Sequence, residues 1–309
     1  MILIGDVLEK LKELSDESVQ CVVTSPPYFG LRNYGADGQI GLERTPEEYV
    51  EKLVNVFREI RRVLRNDGSM FLNLGDSFAG GGRNAGNSKP HPKATKGLEH
   101  LGEVCPSYRG LPAKNLIGIP WHVALALQTD GWFLRCDIIW EKPNCMPDSC
   151  KDRPTRSHEY IFLLTKSSRY FYDAKAILEP YTKPMDRWAG EILDAKGKSE
   201  WDEGTGQKSY RTRNMRPNPN GRNKRSVWTI PTKSYLGAHF AVFPEALVEP
   251  CILAGSKEGG IILDPFAGSG TSLAVAKRLG RSFIGIELNP AYLPLIEKRL
   301  KEVPETLPL

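Results

Sequence analysis

Two short stretches hold residue types whose spacing could do chemistry. The first, "TSPPY" at residues 24–28, follows an apolar run ending in Val22 and Val23. Proline has a fixed φ and no N–H, so Pro26 and Pro27 cannot continue a sheet but can hold a carbonyl in one direction. The hydroxyl of Ser25 and the ring of Tyr28 flank that rigid pair. The second stretch is "DPFAGSGT" at 264–271, inside "IILDPFAGSGTSLAVAKRLGRSFIGIELN". This pattern predicts a strand, a glycine turn, a helix and a second strand. Gly268 and Gly270 would let a ligand approach the backbone, and the helix start supplies free N–H groups. Glu287, at the end of the second strand, stands where an acid accepts hydrogen bonds from ribose hydroxyls in dinucleotide-binding folds. An adenosine-containing cofactor is the reading that follows. The spacing is not G-x-G-x-x-G, and this segment alone does not separate NAD from S-adenosylmethionine.

The surrounding elements must place both stretches at strand ends. "MILIGD", "VLEKLKELSDESV" and "QCVVTS" read as strand, amphipathic helix and strand. In "TPEEYVEKLVNVFREIRRVLRNDG", Thr45 and Glu48 form a capping box and Pro46 sits at the first helical position. Leu53, Val56, Phe57, Ile60 and Leu64 make the apolar stripe, and Asn66-Asp67-Gly68 is expected to stop the helix. "SMFLNLGD" reads as a buried strand. The pattern resumes with helix "IPWHVALALQTDG" and strand "FLRCDIIWEK". "EYIFLLTK" and "RYFYDA", joined by Ser167-Ser168, read as a hairpin. Helix "PEALVEPCILAG" precedes the glycine-turn segment, and a closing helix starts at Pro290. Strands alternating with helices predict an α/β, open, doubly wound sheet.

Composition narrows the rest. The 309 residues are 40% hydrophobic, enough for a large core, and no run approaches the roughly 18–20 apolar residues of a membrane span. The start lacks a basic segment followed by a long apolar one, so no secretory signal is expected. Six cysteines carry no CxxC pair, which fits reduced thiols in a cytoplasmic protein. Cys145 and Cys150 lack the partners that would complete a zinc site, so no metal is expected. The net charge is +5, but residues 206–225, "GQKSYRTRNMRPNPNGRNKR", hold seven Lys/Arg and no Asp/Glu. This basic loop, rich in Gly, Pro and Asn, could bind phosphate. Residues 79–115 form a second long polar insertion, with Lys89, Lys93 and Lys96.

"DPFAGSGT" and "TSPPY" together resemble the motifs of amino-directed DNA methyltransferases, which modify cytosine N4 or adenine N6. The order resembles the beta class, in which the catalytic half precedes the cofactor half. "IPWHVALAL", "IIWEKPN", "RPTRSHEYIFLLTKSSRYFYD" and "HFAVFPEALVEP" extend the similarity over most of the chain. The resemblance implies a doubly wound, seven-stranded, mostly parallel Rossmann-like sheet with an antiparallel hairpin in its last strands. It implies S-adenosyl-L-methionine as cofactor and double-stranded DNA as substrate. It divides the chain into a catalytic half at 1–78 and 116–175, a variable loop at 79–115, a target-recognition region at 176–226 and a cofactor half at 227–309.

The chemistry explains the prolines. An exocyclic amino nitrogen shares its lone pair with the ring and is a poor nucleophile, whereas the sulfonium is a good electrophile. The site must align nitrogen and methyl and draw the lone pair out of conjugation. Acceptors aimed at the two amino hydrogens, Ser25 Oγ and the carbonyl of Pro26, would do so, with Pro27 stiffening the turn. Tyr28 would stack on a base flipped from the duplex. A neutral hydroxyl could serve either amino group, but the resemblance implies that serine at position 25 favours cytosine N4 over adenine N6. C5-cytosine methylation would need a thiolate after a proline, and Cys251 in "EPC" instead lies on an apolar helical run. An RNA or protein amide methyltransferase, or a silent DNA-binding protein on this fold, are the competing readings.

The expected cofactor residues are Asp264, Pro265, Phe266, Gly268, Ser269, Gly270, Thr271 and Glu287. The resemblance adds Asp6 at the adenine and His239 with Phe240 over the methionine end. A turn aspartate and a core histidine are the plain alternatives. For DNA the candidates are Arg211, Arg213, Arg216, Arg222, Lys224 and Arg225. The sequence leaves open the recognition site, a cognate restriction endonuclease, and whether the chain is a monomer or a homodimer.

Overall fold

The computed structural model describes residues 1–31, 33–79, 110–148, 150–181, 218, 220–232 and 244–303. His239, Phe240, Arg211, Arg213, Arg216, Lys89, Lys93 and Lys96 lie outside them. The chain divides into two compact units, Met1–Asp173 with Ser226–Leu309, and Ala174–Arg225.

The first unit carries the sheet. Its strands are β1 (Ile2–Ile4), β2 (Val19–Thr24), β3 (Leu64–Leu74), β4 (Phe133–Glu141), β5 (His158–Thr165), β6 (Val227–Thr229), β7 (Ile261–Asp264) and β8 (Ser282–Glu287). They lie in the order β1-β8-β7-β2-β3-β5-β4-β6. Only β5 pairs antiparallel, with β3 on one side and β4 on the other. The described sheet has eight strands rather than the seven expected, because three-residue β6 adds to the edge beside β4.

Helices are α1 (Val7–Lys12), α2 (Pro46–Val63), α3 (Ile119–Thr129), α4 (Glu245–Gly255), α5 (Thr271–Arg278) and α6 (Leu293–Glu302). Strand alternation sorts them into two layers. Val22, Met70 and Leu72 join one core with residues of α1, α2 and α3. Their neighbours Cys21, Ser69 and Phe71 point the other way, against Gly255 at the end of α4. A Cβ on Gly255 would come within 2.6 Å of Cys21 Sγ. Helix α2 buries Leu53, Val56, Phe57 and Ile60, the stripe read from its sequence, together with Tyr49. Thr45 caps it, accepting from the Glu48 N–H at 3.2 Å.

Two expectations need correction. Asn66-Asp67-Gly68 does not stop α2: Leu64 turns extended at ψ 135° and begins β3 directly. The β2 register then jumps from Val19↔Leu64 to Cys21↔Ser69, so the polar triplet forms an irregularity inside the strand. "RYFYDA" is not a strand, and the hairpin partner of β5 is β4. The N–H groups of Phe171 and Asp173 are used elsewhere, by the carbonyls of Asp67 and Ala254 at 2.8 Å each. Alternating aromatics mimicked a strand whose backbone was already committed.

The second unit contains a 3-10 turn at Lys175–Ile177 and a two-way backbone bridge between Glu179 and Arg222, each bond 2.9 Å.

Candidate active site

The sheet order fixes where a ligand can sit. From β2 the chain winds one way, through α2 to β3. From β7 it winds the other way, through α5 to β8 and its neighbour β1. The direction reverses between β2 and β7, and in open α/β sheets ligands bind outside the carboxyl ends of strands at such a point. "SPPY" follows β2 and "PFAGSGT" follows β7, so both stretches open onto this switch point. The two strands are joined there: Thr24 Oγ1 donates to Asp264 Oδ1 at 2.8 Å, fully buried.

On the β2 side, Tyr28 is the hub. Its hydroxyl lies 2.8 Å from Asn73 Oδ1, on β3, and 2.8 Å from Glu159 Oε2, on β5. The Ser25 hydroxyl donates to Tyr28 Oη at 3.2 Å and lies 3.4 Å from Asn73 Oδ1. Asn73 Nδ2 donates to the Tyr160 carbonyl at 3.0 Å, which fixes the amide oxygen toward the tyrosine. Lys142 pairs with Glu159 and lies 4.2 Å over the Trp140 ring. Burial, with the Glu159 charge next, pushes the Tyr28 phenol well above its ordinary range, so it stays protonated.

The proline turn is anchored from below. Tyr49, buried on α2, donates to the Pro27 carbonyl at 2.9 Å. The Gly30 N–H donates to the Gly41 carbonyl at 2.9 Å, and a Cβ on Gly41 would meet the Tyr28 carbonyl at 3.0 Å. Pinning Pro27 leaves the preceding carbonyl, Pro26, without a donor among the described residues. Gly75 lets the Tyr28 ring come close to the end of β3: a Cβ there would stand 2.5 Å from Cε2. Gly75→Ala is therefore expected to displace the ring while the sheet survives. A shift of about 1 Å at a reacting centre costs about 10²-fold in rate. Methyl transfer measured beside the unfolding midpoint separates this effect from simple destabilisation.

On the β7 side, the acids and hydroxyls are committed to the turn itself. Asp264, 3% exposed, accepts from Thr24 and from the Phe266 N–H at 3.1 Å through Oδ1, and from Ser272 through Oδ2. Burial raises its pKa. Arg299 reaches from α6 to Thr271 Oγ1 and, at 3.0 Å, to Ser269 Oγ, so these two hydroxyls brace the turn from behind. The two glycines divide the work expected of both. Gly270 (φ +75°) packs on Ile296, where a Cβ would stand 2.9 Å from Cγ2. Gly268 (φ +51°) faces open space, with nothing nearer than 4.0 Å to an added Cβ. The open approach to the backbone is at Gly268.

Glu287 closes the site's far edge. Its carboxylate accepts the Gly268 N–H at 2.8 Å and the Asn289 N–H at 2.9 Å, and burial raises its pKa. Asp6 is brought beside it, because the Gly5 N–H donates to the Glu287 carbonyl at 2.9 Å. Asp6 Oδ1 caps α1, accepting from Leu8 and Glu9 at 2.9 and 3.2 Å. Cys251 is buried and donates to the Leu247 carbonyl, as a structural thiol does. Among the described residues no His/Cys/Asp/Glu group could hold a metal.

In the second unit, Arg222 and Arg225 both pair with Glu179, at 2.9 and 2.7 Å. The basic run has its own internal acid, invisible in a window that begins at residue 206. Lys224 is half-buried.

Asn73, Glu159, Lys142, Tyr49, Gly75 and Arg299 were not anticipated. They come from distant parts of the chain, and only the family-like segments "IIWEKPN", with Lys142, and "RPTRSHEYIFLLTKSSRYFYD", with Glu159, hinted at any of them.

Two motif stretches opening on one switch point of a doubly wound, mostly parallel sheet place the chain in the Rossmann-like fold of S-adenosylmethionine-dependent methyltransferases. Within it the chain belongs to the N6/N4 DNA methylase family, whose sequence pattern it matches over residues 19–298, and its cofactor is S-adenosyl-L-methionine. It is 45% identical to the type II methyltransferase M.SmaI of Serratia marcescens over 299 residues, 97% of this chain and 90% of that one. It is also 45% identical to the type II methyltransferase M.Cfr9I of Citrobacter freundii, over 96% of this chain and 86% of that one. Among solved structures, the PvuII DNA methyltransferase (cytosine-N4-specific) superposes with a TM-score of 0.64 at 20% identity, covering 99% and 88% of the two chains. The M1.HpyAVI–SAM complex superposes with a TM-score of 0.53 at 20% identity, covering 97% and 98%. These likenesses concern the fold. No described helix is long and apolar enough to cross a membrane.

Proposed function

We propose that this protein is the modification enzyme of a type II restriction–modification system, acting in the cytoplasm on double-stranded DNA and transferring methyl to cytosine N4. The observations that support the reading are the neutral Ser25 hydroxyl at the end of β2 and, next in the chain, a Pro26 carbonyl that no described donor occupies. The pair grips the two hydrogens of a flipped amino group, Tyr28 stacks on its ring, and Pro27 holds the turn. Their oxygens draw the nitrogen lone pair out of conjugation as it attacks the methyl group. Asp264, Pro265, Phe266, Gly268, Ser269, Gly270 and Thr271 shape the cofactor turn, Glu287 takes the ribose hydroxyls, and Asp6 borders the adenine. Arg222, Lys224 and Arg225 are the candidate contacts to the phosphate backbone among the described residues. Expression in a methylation-free host, followed by sequencing that separates N4-methylcytosine from N6-methyladenine, tests the base. Modified adenine as the sole product overturns the cytosine assignment, and unmodified DNA overturns the whole reading.

The ribose contact has a pH signature. Hydroxyl donors need the Glu287 carboxylate ionised, and burial raises its pKa above the ordinary glutamate range. Affinity for S-adenosylmethionine is expected to fall as pH drops through that raised value, before ordinary carboxylates titrate. Losing a charged hydrogen bond costs about 1.5–3 kcal/mol, roughly ten- to a hundredfold in Kd. Calorimetric titration of the wild type and of Glu287→Gln checks this: the variant binds weakly, with no such pH dependence.

A further inference from the structure

The transfer leaves a proton to be disposed of, and the site contains a route for it. The nitrogen attacks the methyl carbon, the C–S bond breaks with its electron pair going to sulfur, and the methylated nitrogen must lose one proton. We propose that this proton leaves by a relay from Ser25 through Tyr28 to Glu159, which acts as the proton acceptor. The amino proton passes to Ser25 Oγ, the Ser25 proton to Tyr28 Oη, and the Tyr28 proton to Glu159 Oε2. One proton moves from base to carboxylate, and both hydroxyls end as they began. The proposal rests on the reading that Ser25 faces the amino group, and holds for cytosine or adenine alike.

The hydrogen-bond inventory carries it. Tyr28 Oη contacts Asn73 Oδ1, Glu159 Oε2 and Ser25 Oγ, and Ser25 Oγ also approaches Asn73 Oδ1. With Glu159 ionised, only two hydroxyl protons serve these four contacts, because the asparagine amide donates to Tyr160 instead. Arrival of one proton at Glu159 gives three protons, which serve three of the four contacts and leave only the long Ser25–Asn73 approach unserved. Glu159 then donates to Tyr28, Tyr28 to Asn73, and Ser25 to Tyr28. Asn73 itself is no base, so the nearest carboxylate along the chain of hydroxyls is Glu159. Its side chain, 16% exposed, can return the proton to solvent.

The charges around Glu159 suit an acceptor that must reset. Lys142, fixed over Trp140, pairs with the other carboxylate oxygen, Oε1. Arg156, on the approach to β5, pairs with Asp76 at 3.4 Å. His158 is held below its ordinary pKa by burial first and by Arg156 next, so it adds no charge near neutrality. Glu141 stands opposite His158 across the β4–β5 pair and bonds Thr229. Tyr34, facing Tyr28, pushes its phenol up further.

Glu159 acts through other groups, so its test needs a readout that packing would not move. Single-turnover methyl transfer to duplex DNA, at saturating cofactor and across pH 5–9, supplies it. The wild type is expected to lose rate on the acid side. Glu159→Gln should lower the plateau by about 10²-fold, the lower range for a lost proton acceptor, and abolish the acid limb. Lys142→Met should keep the limb and move it to higher pH. Cofactor affinity and the unfolding midpoint, measured on each variant, identify any that fails to fold, and Glu159→Asp then serves in place of Glu159→Gln with a shifted limb expected. Glu159→Gln retaining both plateau and acid limb overturns the relay. Ser25→Ala at full rate overturns the amino-cradle reading beneath it, a separate result.

Discussion

Ser25→Ala is expected to lower kcat by about 10²–10³-fold, the range for one preorganised hydrogen-bonding group at a reacting centre, with no change in S-adenosylmethionine affinity. Ser25 touches none of the groups that hold the cofactor turn. Its partners are Tyr28 and Asn73 on the β2 side. Those of the cofactor turn are Thr24, Ser272, Glu287 and Arg299. The two sets share no residue, and they meet in the backbone between Thr24 and Ser25. Tyr28→Phe separates the ring from its hydroxyl: stacking on a flipped base survives, and the bonds to Asn73 and Glu159 are lost. Tyr28→Ala removes both, and the missing stack should cost a further 1–3 kcal/mol or so in DNA affinity. The expected pattern is that Ser25→Ala and Tyr28→Phe lower kcat, whereas Tyr28→Ala lowers kcat and raises KM for DNA. Tritiated-methyl transfer with DNA and cofactor varied independently reads all three. Unchanged turnover in Ser25→Ala would remove the cradle from the mechanism.

What could be read ahead of the structure was whatever lay close together in the chain. "TSPPY" and "DPFAGSGT" each fit within eight residues, so their turn chemistry and strand-end positions were legible. That β2 and β7 lie side by side is a consequence of winding direction, which the strand–helix alternation implied without giving the order. The polar surroundings of Tyr28 were hidden because Asn73 and Glu159 stand 45 and 131 residues away. Nothing local distinguishes Asn73 from an ordinary strand residue, and the family-like segment around Glu159 does not say what that side chain meets. Glycine was ambiguous for a related reason. Gly268 and Gly270 share a positive φ, but only the approach of α6 reveals that Gly270 makes room for Ile296. The false hairpin at "RYFYDA" came from trusting alternation where tertiary acceptors, Asp67 and Ala254, had already claimed the N–H groups. Period-2 patterning reports side-chain burial, and it says nothing about where the backbone hydrogen bonds go.

Asp264→Ala is expected to damage both halves at once, because one carboxylate ties the catalytic strand to the cofactor turn. Removing it strands the Thr24 hydroxyl, the Ser272 hydroxyl and the Phe266 N–H in a buried setting. Buried donors left without an acceptor cost about 1–3 kcal/mol each, so a loss of about 3–5 kcal/mol in stability follows once partial relaxation is allowed. Asp264→Asn should be far milder. The amide oxygen can still accept from Thr24 and Phe266, and the Ser272 hydroxyl can rotate to accept from the amide nitrogen. The comparison also isolates the charge. Burial raises the Asp264 pKa, so the folded protein binds this proton more readily than the unfolded chain does. The carboxyl's contribution to stability is thus fullest below its unfolded pKa and declines as pH rises toward the folded one. Asparagine carries no such penalty, so Asp264→Asn should gain on the wild type as pH rises through that window. Urea unfolding of the wild type and both variants from pH 4 to 8 measures this, and cofactor titration on the same samples follows the turn. A wild type that instead gained on Asp264→Asn with rising pH would mean the three donors outweigh the cost of burying the charge, making the carboxylate itself, beyond its shape, the tie between the two halves.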